Sequence, residues 1–258
     1  MKLIRYESGG EAAYGSLQDD GSILAIDGCP YGDFEVGGAA ANLSDVRVLA
    51  PVANPAKVIG VGLNYVSHIE ESGMATPEIP MLFVKPTTAV IGNGDSIVYP
   101  TGIEEVEYEA ELAVVIGKTA RSVSENDALD YVLGYTCGND VSARAIQRAE
   151  MAMGCLLICK GFDTFAPMGP VIATDIDPSS LAVKARLNGE ERQNSNTSDL
   201  LFSVPQLVSY ISDAITLLPG DVIYTGTPAG VGPIAPGDVV EIEVEGVGVL
   251  RNPVVADG

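Results

Sequence analysis

The chain has 258 residues, 47% of them hydrophobic, with 14 basic against 35 acidic side chains and a formal charge of −21; this length supports a large core without disulfide or metal staples. The acid is spread along the sequence and not gathered into a tail, which argues against nucleic acid as a partner, and the longest apolar runs break off well before membrane-spanning length. With only six lysines, the composition fits a soluble protein of a halophilic cytoplasm.

Residues 1–54 alternate short β-like pieces, Lys2–Tyr6 and Ser22–Ile26, with Gly and Asp turns, and read as a small N-terminal β domain. Pro51 to Pro55 reads as a linker to a larger domain over residues 55–258. Lys57–Gly62 is a buried-strand signal, Tyr65–Glu71 a short helix broken at Ser72-Gly73, and Met74–Pro80 a loop. Glutamates at alternate positions then lead into the apolar strand run Leu112–Ile116. Ser124 is placed to cap a helix through Val132 that ends at Gly134. A further helix is expected from Val204, after Ser203 as cap and with Pro205 in its first turn, to about Ile215, burying Leu207, Val208, Ile211 and Ile215 on one face. Strands return at Asp221–Thr225 and from Asp238 onward. Many strands, few helices and no regular βαβ alternation indicate an α+β fold.

Cys29, Cys137, Cys155 and Cys159 form no C-x-x-C pair, and no signal-like segment opens the chain; reduced, buried thiols in a cytosolic, cytoplasmic protein are expected, and a zinc site is not. Gly60-Val61-Gly62 is no dinucleotide fingerprint, because Tyr65 stands where the third glycine belongs. The glycine-rich run Thr225–Pro233 reads either as a turn or as a carboxylate cradle of amides and hydroxyls.

Three acids and the lone histidine carry the chemistry. On a strand Glu109 and Glu111 point to the same side with Cα atoms roughly 6.6 Å apart, close enough to share an ion. Asp140 is the candidate for a third hard oxygen ligand, giving a facial set suited to Mg²⁺ or Mn²⁺. Spacing alone leaves this reading open beside that of a solvated acidic strand face. His68 and Glu71 lie three apart, so on a helix the carboxylate orients the imidazole as a general base; a histidine by itself is as readily structural.

Taken in order, Gly62–His68, Tyr108–Gly117, Gly134-Tyr135, Asn139–Arg144 with Gln147, Lys160–Pro167, Leu187–Gly189 and Thr225–Pro228 resemble the fumarylacetoacetate hydrolase superfamily over roughly residues 56 to 253. The resemblance implies a mixed β-sandwich or roll catalytic domain after the small N-terminal β domain, usually in homodimers. It also implies Mg²⁺ or Mn²⁺ on Glu109, Glu111 and Asp140, chelated by the 2-keto acid end of a small substrate, with Lys160 neutralising developing oxygen charge. Arg144, Gln147 and Thr227 match positions that contact substrate or support the site, and His68 to about Pro80 matches a lid. The implied reaction is C–C hydrolysis of an acylpyruvate or fumarylpyruvate by His68-activated water. Alternatives that the same ligands serve are isomerisation of 2-hydroxyhepta-2,4-diene-1,7-dioate, decarboxylation of oxaloacetate-like acids and dehydration of 2-keto-3-deoxy sugar acids; a catalytically silent metal-binding dimer belongs to a different class. Cys155–Cys159 and Asn194–Asn196 depart from the common pattern near the substrate side and leave the metal residues untouched.

Overall fold

The computed structural model describes residues 1–258. Strand predominates: β1 (Lys2–Ser8), β2 (Glu11–Leu17), β3 (Ser22–Gly28), β4 (Phe34–Asn42), β5 (Arg47–Val48), β6 (Val58–Gly62), β7 (Met81–Lys85), β8 (Val90–Ile91), β9 (Ile97–Tyr99), β10 (Val106–Tyr108), β11 (Ala110–Ile116), β12 (Val132–Asn139), β13 (Ser142–Ala143), β14 (Ala166–Ala173), β15 (Ala182–Leu187), β16 (Glu190–Asn196), β17 (Val222–Tyr224), β18 (Gly232–Pro233), β19 (Val239–Val244) and β20 (Gly248–Ala256). Four short α-helices, α1 (Val66–Ser72), α2 (Arg144–Ala152), α3 (Ile158–Gly161) and α4 (Val204–Ala214), connect them. No helix is long and apolar enough to cross a membrane.

The largest sheet runs β4-β3-β2-β1-β14-β12-β11-β17-β6-β7, with β5 on β1 and β8 on β14. Most neighbours are antiparallel; β17 and β6 are parallel. A five-stranded sheet, β16-β15-β19-β20-β9, and a three-stranded one, β13-β10-β18, complete the fold. The stretch between β5 and β6, where the linker is expected, contains no strand, yet the large sheet passes across it, because β1 pairs with β14 at Lys2↔Ala173 and Leu3↔Ile172.

β11 lies at the centre. Every one of its residues is buried, and its alternate side chains enter two clusters: Leu112, Val114 and Ile116 pack with Val183, Ala185, Val240 and Ile242 of the five-stranded sheet, while Ala113 and Val115 pack with Val58, Val222 and Tyr224. Burial on both faces explains the unbroken apolar run, since neither side is free to be polar. The expected strand from Glu105 is in fact interrupted: Val106–Tyr108 pairs with β13 and β18, and the Glu109 amide leaves the ladder to donate to the Asn139 side chain at 3.0 Å.

Two helix expectations need correction. After Ser124 the chain makes only a 3-10 turn, Ala128–Tyr131, and Val132–Gly134 belongs to β12, because pairing with β11 outweighs local helix propensity. α4 starts as expected, with Gln206 accepting from the Ser203 amide (2.9 Å) and hydroxyl (3.0 Å), but it ends at Ala214, and Ile215 is 40% exposed. The thiols also divide, Cys137 and Cys159 buried, Cys29 and Cys155 exposed.

Asp221 joins the site-bearing strands β6 and β17. Its buried carboxylate accepts from the Lys57 amide (2.9 Å) and the Leu218 amide (2.6 Å) and pairs with the Lys57 ammonium at 2.7 Å. Asp221→Ala strands both amides and is expected to cost about 3 kcal/mol, read as a lower urea midpoint with an unchanged denaturant slope.

Candidate functional site

The centre forms where β11 begins. Ala110–Asn139 pairing of β11 with β12 and the Asp140 amide bonded to the Glu109 carbonyl at 3.0 Å bring the two chain segments together. Carboxylate oxygens of Glu109, Glu111 and Asp140 lie within 4.8 Å of one another, all buried. Glu109 and Glu111 therefore converge as alternation predicts, although Glu109 sits in the break between strands.

Three cations meet this acid. Lys160, on α3, bridges Glu109 Oε2 (2.9 Å) and Asp140 Oδ2 (2.6 Å). Arg144, at the start of α2, pairs through Nη1 with Glu109 (2.7 Å) and through Nε with Glu107 (2.6 Å); its Nη1 also donates to Gln147 at 2.7 Å, and its buried Nη2 has no partner. Lys85, the last residue of β7, is bonded to Asp140 Oδ1 at 2.5 Å and to the Val141 carbonyl at 3.2 Å. Sequence reasoning passed over Lys85; its one trace there is a lysine closing the apolar strand Met81–Val84.

The electrostatics follow from these pairings. Burial disfavours the Glu109 anion, but Lys160 and Arg144 outweigh it and hold the carboxyl well below its usual range. Lys160 is likewise opposed by burial and held protonated by Asp140 and Glu109, whereas burial dominates at Lys85 and lowers it. Glu111 is the exception: burial, then Asp140 and Glu109, push it well above a normal carboxyl, for it has no cationic partner and accepts only the Gly226 amide, at 2.7 Å. Gly226 itself has φ +100°, and a Cβ there would lie 2.8 Å from Asn64, so the amide reaches Glu111 through a turn that glycine alone adopts without strain. Three convergent hard oxygens with one uncompensated acid fit a divalent cation, which supplies the charge that Glu111 lacks.

His68 is delivered by α1, which closes on Gly73 in the left-handed conformation (φ 65°). His68 Nδ1 lies 3.2 Å from Glu71 Oε2, and the same carboxylate accepts the Gly230 amide at 3.1 and 3.2 Å. At the other end of the helix Asp199 accepts from the Ser67 amide (3.1 Å) and hydroxyl (2.6 Å). Asn64 fixes the approach, donating to the Phe202 and Thr225 carbonyls at 3.0 and 2.7 Å. The segment from His68 that the resemblance implies to be a lid is thus, as far as Gly73, an ordered helix with anchors in the distant chain. Asp199 and Asn64 carry no local signal in the sequence.

An open-mouthed cavity of about 130 Å³ lies over this centre, lined among others by His68, Glu109, Gln147, Lys160 and Thr227. Glu111, Asp140 and Arg144 are not among the residues that line it. Thr227 Oγ1 accepts from Gln193 Nε2 at 2.8 Å, a contact that holds the Thr225–Pro228 turn against β16. Lys160 is positioned by a residue the sequence did not reveal: Glu150 of α2 accepts the amides of Leu157, Ile158 and Cys159 at 3.0, 2.8 and 3.1 Å, so its carboxylate satisfies the chain end that carries the lysine. Burial acts to raise the Glu150 carboxyl, but the Cys159 thiol and these amides together bring it down to about 2. Because the folded value lies below the ordinary 4.5, the ionised carboxylate stabilises the fold fully above that ordinary value, and the contribution disappears as pH falls toward about 2. The difference in urea midpoint between wild type and Glu150→Gln is therefore expected to be largest at neutral pH and to shrink steadily through the acid range.

The family described as fumarylacetoacetate (FAA) hydrolase C-terminal matches residues 57–255, and that described as Rv2993c-like, N-terminal matches residues 1–51. The chain is similar to a 5-carboxymethyl-2-hydroxymuconate delta-isomerase from Mycobacterium smegmatis, with 46% identity, a TM-score of 0.92 and full coverage of both chains. It is 38% identical to the mitochondrial oxaloacetate tautomerase fahd2 of Xenopus laevis over 99% of this chain and 90% of that protein. It also resembles, at 32% identity and a TM-score of 0.82 with full coverage of both, a maleylpyruvate hydrolase from Sphingobium in complex with manganese(II) and pyruvate.

Proposed function

The chain belongs to the fumarylacetoacetate hydrolase family, and from that premise we propose that it is a divalent-metal-dependent hydrolase cleaving the C–C bond of acylpyruvate-type 2,4-dioxo acids. The observation that carries this reading is His68, paired with Glu71, lining the same cavity as Lys160: a base for water and a fixed positive charge for an enolate share one cavity.

Glu109, Glu111 and Asp140 are the residues that would hold Mg²⁺ or Mn²⁺, and the bound ion would supply Lewis-acid polarisation of the 2-oxo acid. Glu71 keeps the proton of His68 on Nδ1, which leaves Nε2 free to take one from water. The water oxygen adds to the acyl carbonyl carbon, and the bond between that carbon and the methylene breaks. The bonding pair becomes the enolate of pyruvate, whose oxygen charge Lys160 offsets, and protonated His68 returns its proton to the methylene carbon. The products are pyruvate and a carboxylic acid. Gln147, Thr227 and the unpartnered Nη2 of Arg144 serve the 2-oxo acid end. A small 2-oxo acid is thus the partner of the site, and a homodimer is part of the same reading, supported by the exposed Met153, Leu157 and Ile158 beside the Lys160 helix.

The relatives favour a second reading. An isomerase and a tautomerase among them support proton transfer between carbon and oxygen on the same enolate-stabilising floor, without water as nucleophile.

Turnover of acetylpyruvate and oxaloacetate by the Mn²⁺-loaded protein separates the two. Hydrolysis of acetylpyruvate that falls by about 10²- to 10⁴-fold in His68→Ala is expected; conversion of oxaloacetate alone, retained in that variant, would establish the second reading. Metal removal has its own signature: Mn²⁺ is expected to raise the thermal midpoint of wild type, whereas Glu111→Gln, which removes the uncompensated acid, raises the metal-free midpoint and abolishes the Mn²⁺ shift.

The acid-rich composition supports a halophilic cytoplasm as the setting. In that case the thermal midpoint drops in dilute buffer relative to molar KCl, because unscreened repulsion opposes compaction, and an unchanged midpoint would count against it.

A further inference from the structure

The cavity wall is apolar in a way that the reaction does not require. Beside the polar groups it presents Val61, Leu63, Met74, Met81, Met151 and Leu156, drawn from β6 and the residue after it, the segment after α1, the start of β7, the end of α2 and the loop before α3. Its ionisable members are His68, Glu109 and Lys160 alone. The Lys160 ammonium is already shared between Glu109 and Asp140, and Arg144, outside the lining, is paired with Glu107 and Glu109.

With Gln147, Thr227 and Arg144 given to the 2-oxo acid end, a second carboxylate at the far end of a substrate meets Ser72, a neutral group, and no free cation. Desolvating an unpaired carboxylate against methionine and leucine is strongly unfavourable. The field of a chain with net charge −21 further disfavours a dianion over a monoanion. Apolar surface, by contrast, gains from the same wall, and three methionines accommodate tails of differing shape, because an unbranched thioether repacks at little cost.

Resting on the 2,4-dioxo acid reading above, we infer that the preferred substrate is a monocarboxylate whose acyl tail is uncharged and apolar, and that Met74, Met81, Met151 and Leu156 are its specificity-determining residues. This sets the chain apart from the multiply charged acid in the name of its mycobacterial relative.

The test is a matched pair, 4-methylpentanoylpyruvate against succinylpyruvate, in which a terminal dimethyl replaces a carboxylate of nearly the same shape. With the Mn²⁺-loaded protein, kcat/KM is expected to favour the apolar acid by about tenfold or more. Met151→Arg should move the ratio toward the diacid; Met74→Arg, at a position already 42% exposed where a charge threatens the fold little, should do the same. Equal or better cleavage of succinylpyruvate by wild type, or a ratio unmoved in folded variants, overturns the inference. If neither compound is cleaved, the hydrolase reading fails, and calorimetric titration of the same two acids decides this one: tighter binding of the apolar acid carries it, and equal or tighter binding of the diacid, or binding of neither, overturns it.

Discussion

Six charged side chains buried together at the start of β11 set the terms for the rest of the molecule. Glu109 and Asp140 are paired with Lys85, Lys160 and Arg144, Glu111 lies beside them without a cation of its own, and each of the three carboxylates and both lysines are at most 5% exposed. None of these groups would tolerate burial alone. Each is supplied by a different piece of chain, namely β7, the β10–β11 break, β11, the turn after β12, α2 and α3. The cost of desolvation is offset only when all of them are assembled, so the electrostatic network and the fold are cooperative with one another.

The surrounding architecture places that network where water enters from one side. β11 is sealed on both faces by the two apolar clusters, leaving its N-terminal end as the open point. Over that end His68 is carried on α1, a helix of seven residues, too short to persist by itself. Its geometry comes from Asp199, Gly230 and Asn64, which belong to or bind distant segments. A rigid charged floor and a tethered helix above it form a natural division of labour. In the proposed reading the floor would offset negative charge on a 2-oxo acid, whereas the helix and the apolar wall would govern the other end of the ligand. Relatives described as hydrolase, isomerase and tautomerase are consistent with a shared floor and differing walls.

Much of the local structure was legible in the residues. The three-residue spacing of His68 and Glu71, the helix stop at Ser72-Gly73, the helix start at Ser203 with Pro205 in its first turn, and the apolar run of β11 each express a short-range rule, and each appears in the structure. Where local signals competed with sheet pairing they lost: the segment after Ser124 looks helical but supplies a strand to β11. Lys85, Glu150 and Asp199 were not legible, since a lysine after an apolar strand, a glutamate in a helix and an aspartate in a turn are ordinary surface patterns until a partner is known.

By itself, then, the sequence determined most of the strand and helix pieces, the pairing of the histidine with its neighbouring carboxylate, and the shared direction of Glu109 and Glu111, because these depend on backbone periodicity and nearest-neighbour spacing. Only the tertiary structure decided which cation meets which acid, that Glu111 is left without one, and that the wall facing the base is apolar. Those contacts join residues as far apart as Lys85 and Asp140, 55 positions in sequence, and the free energy of burying a charge depends on what surrounds it in space, for which the order of residues along the chain provides no local signature.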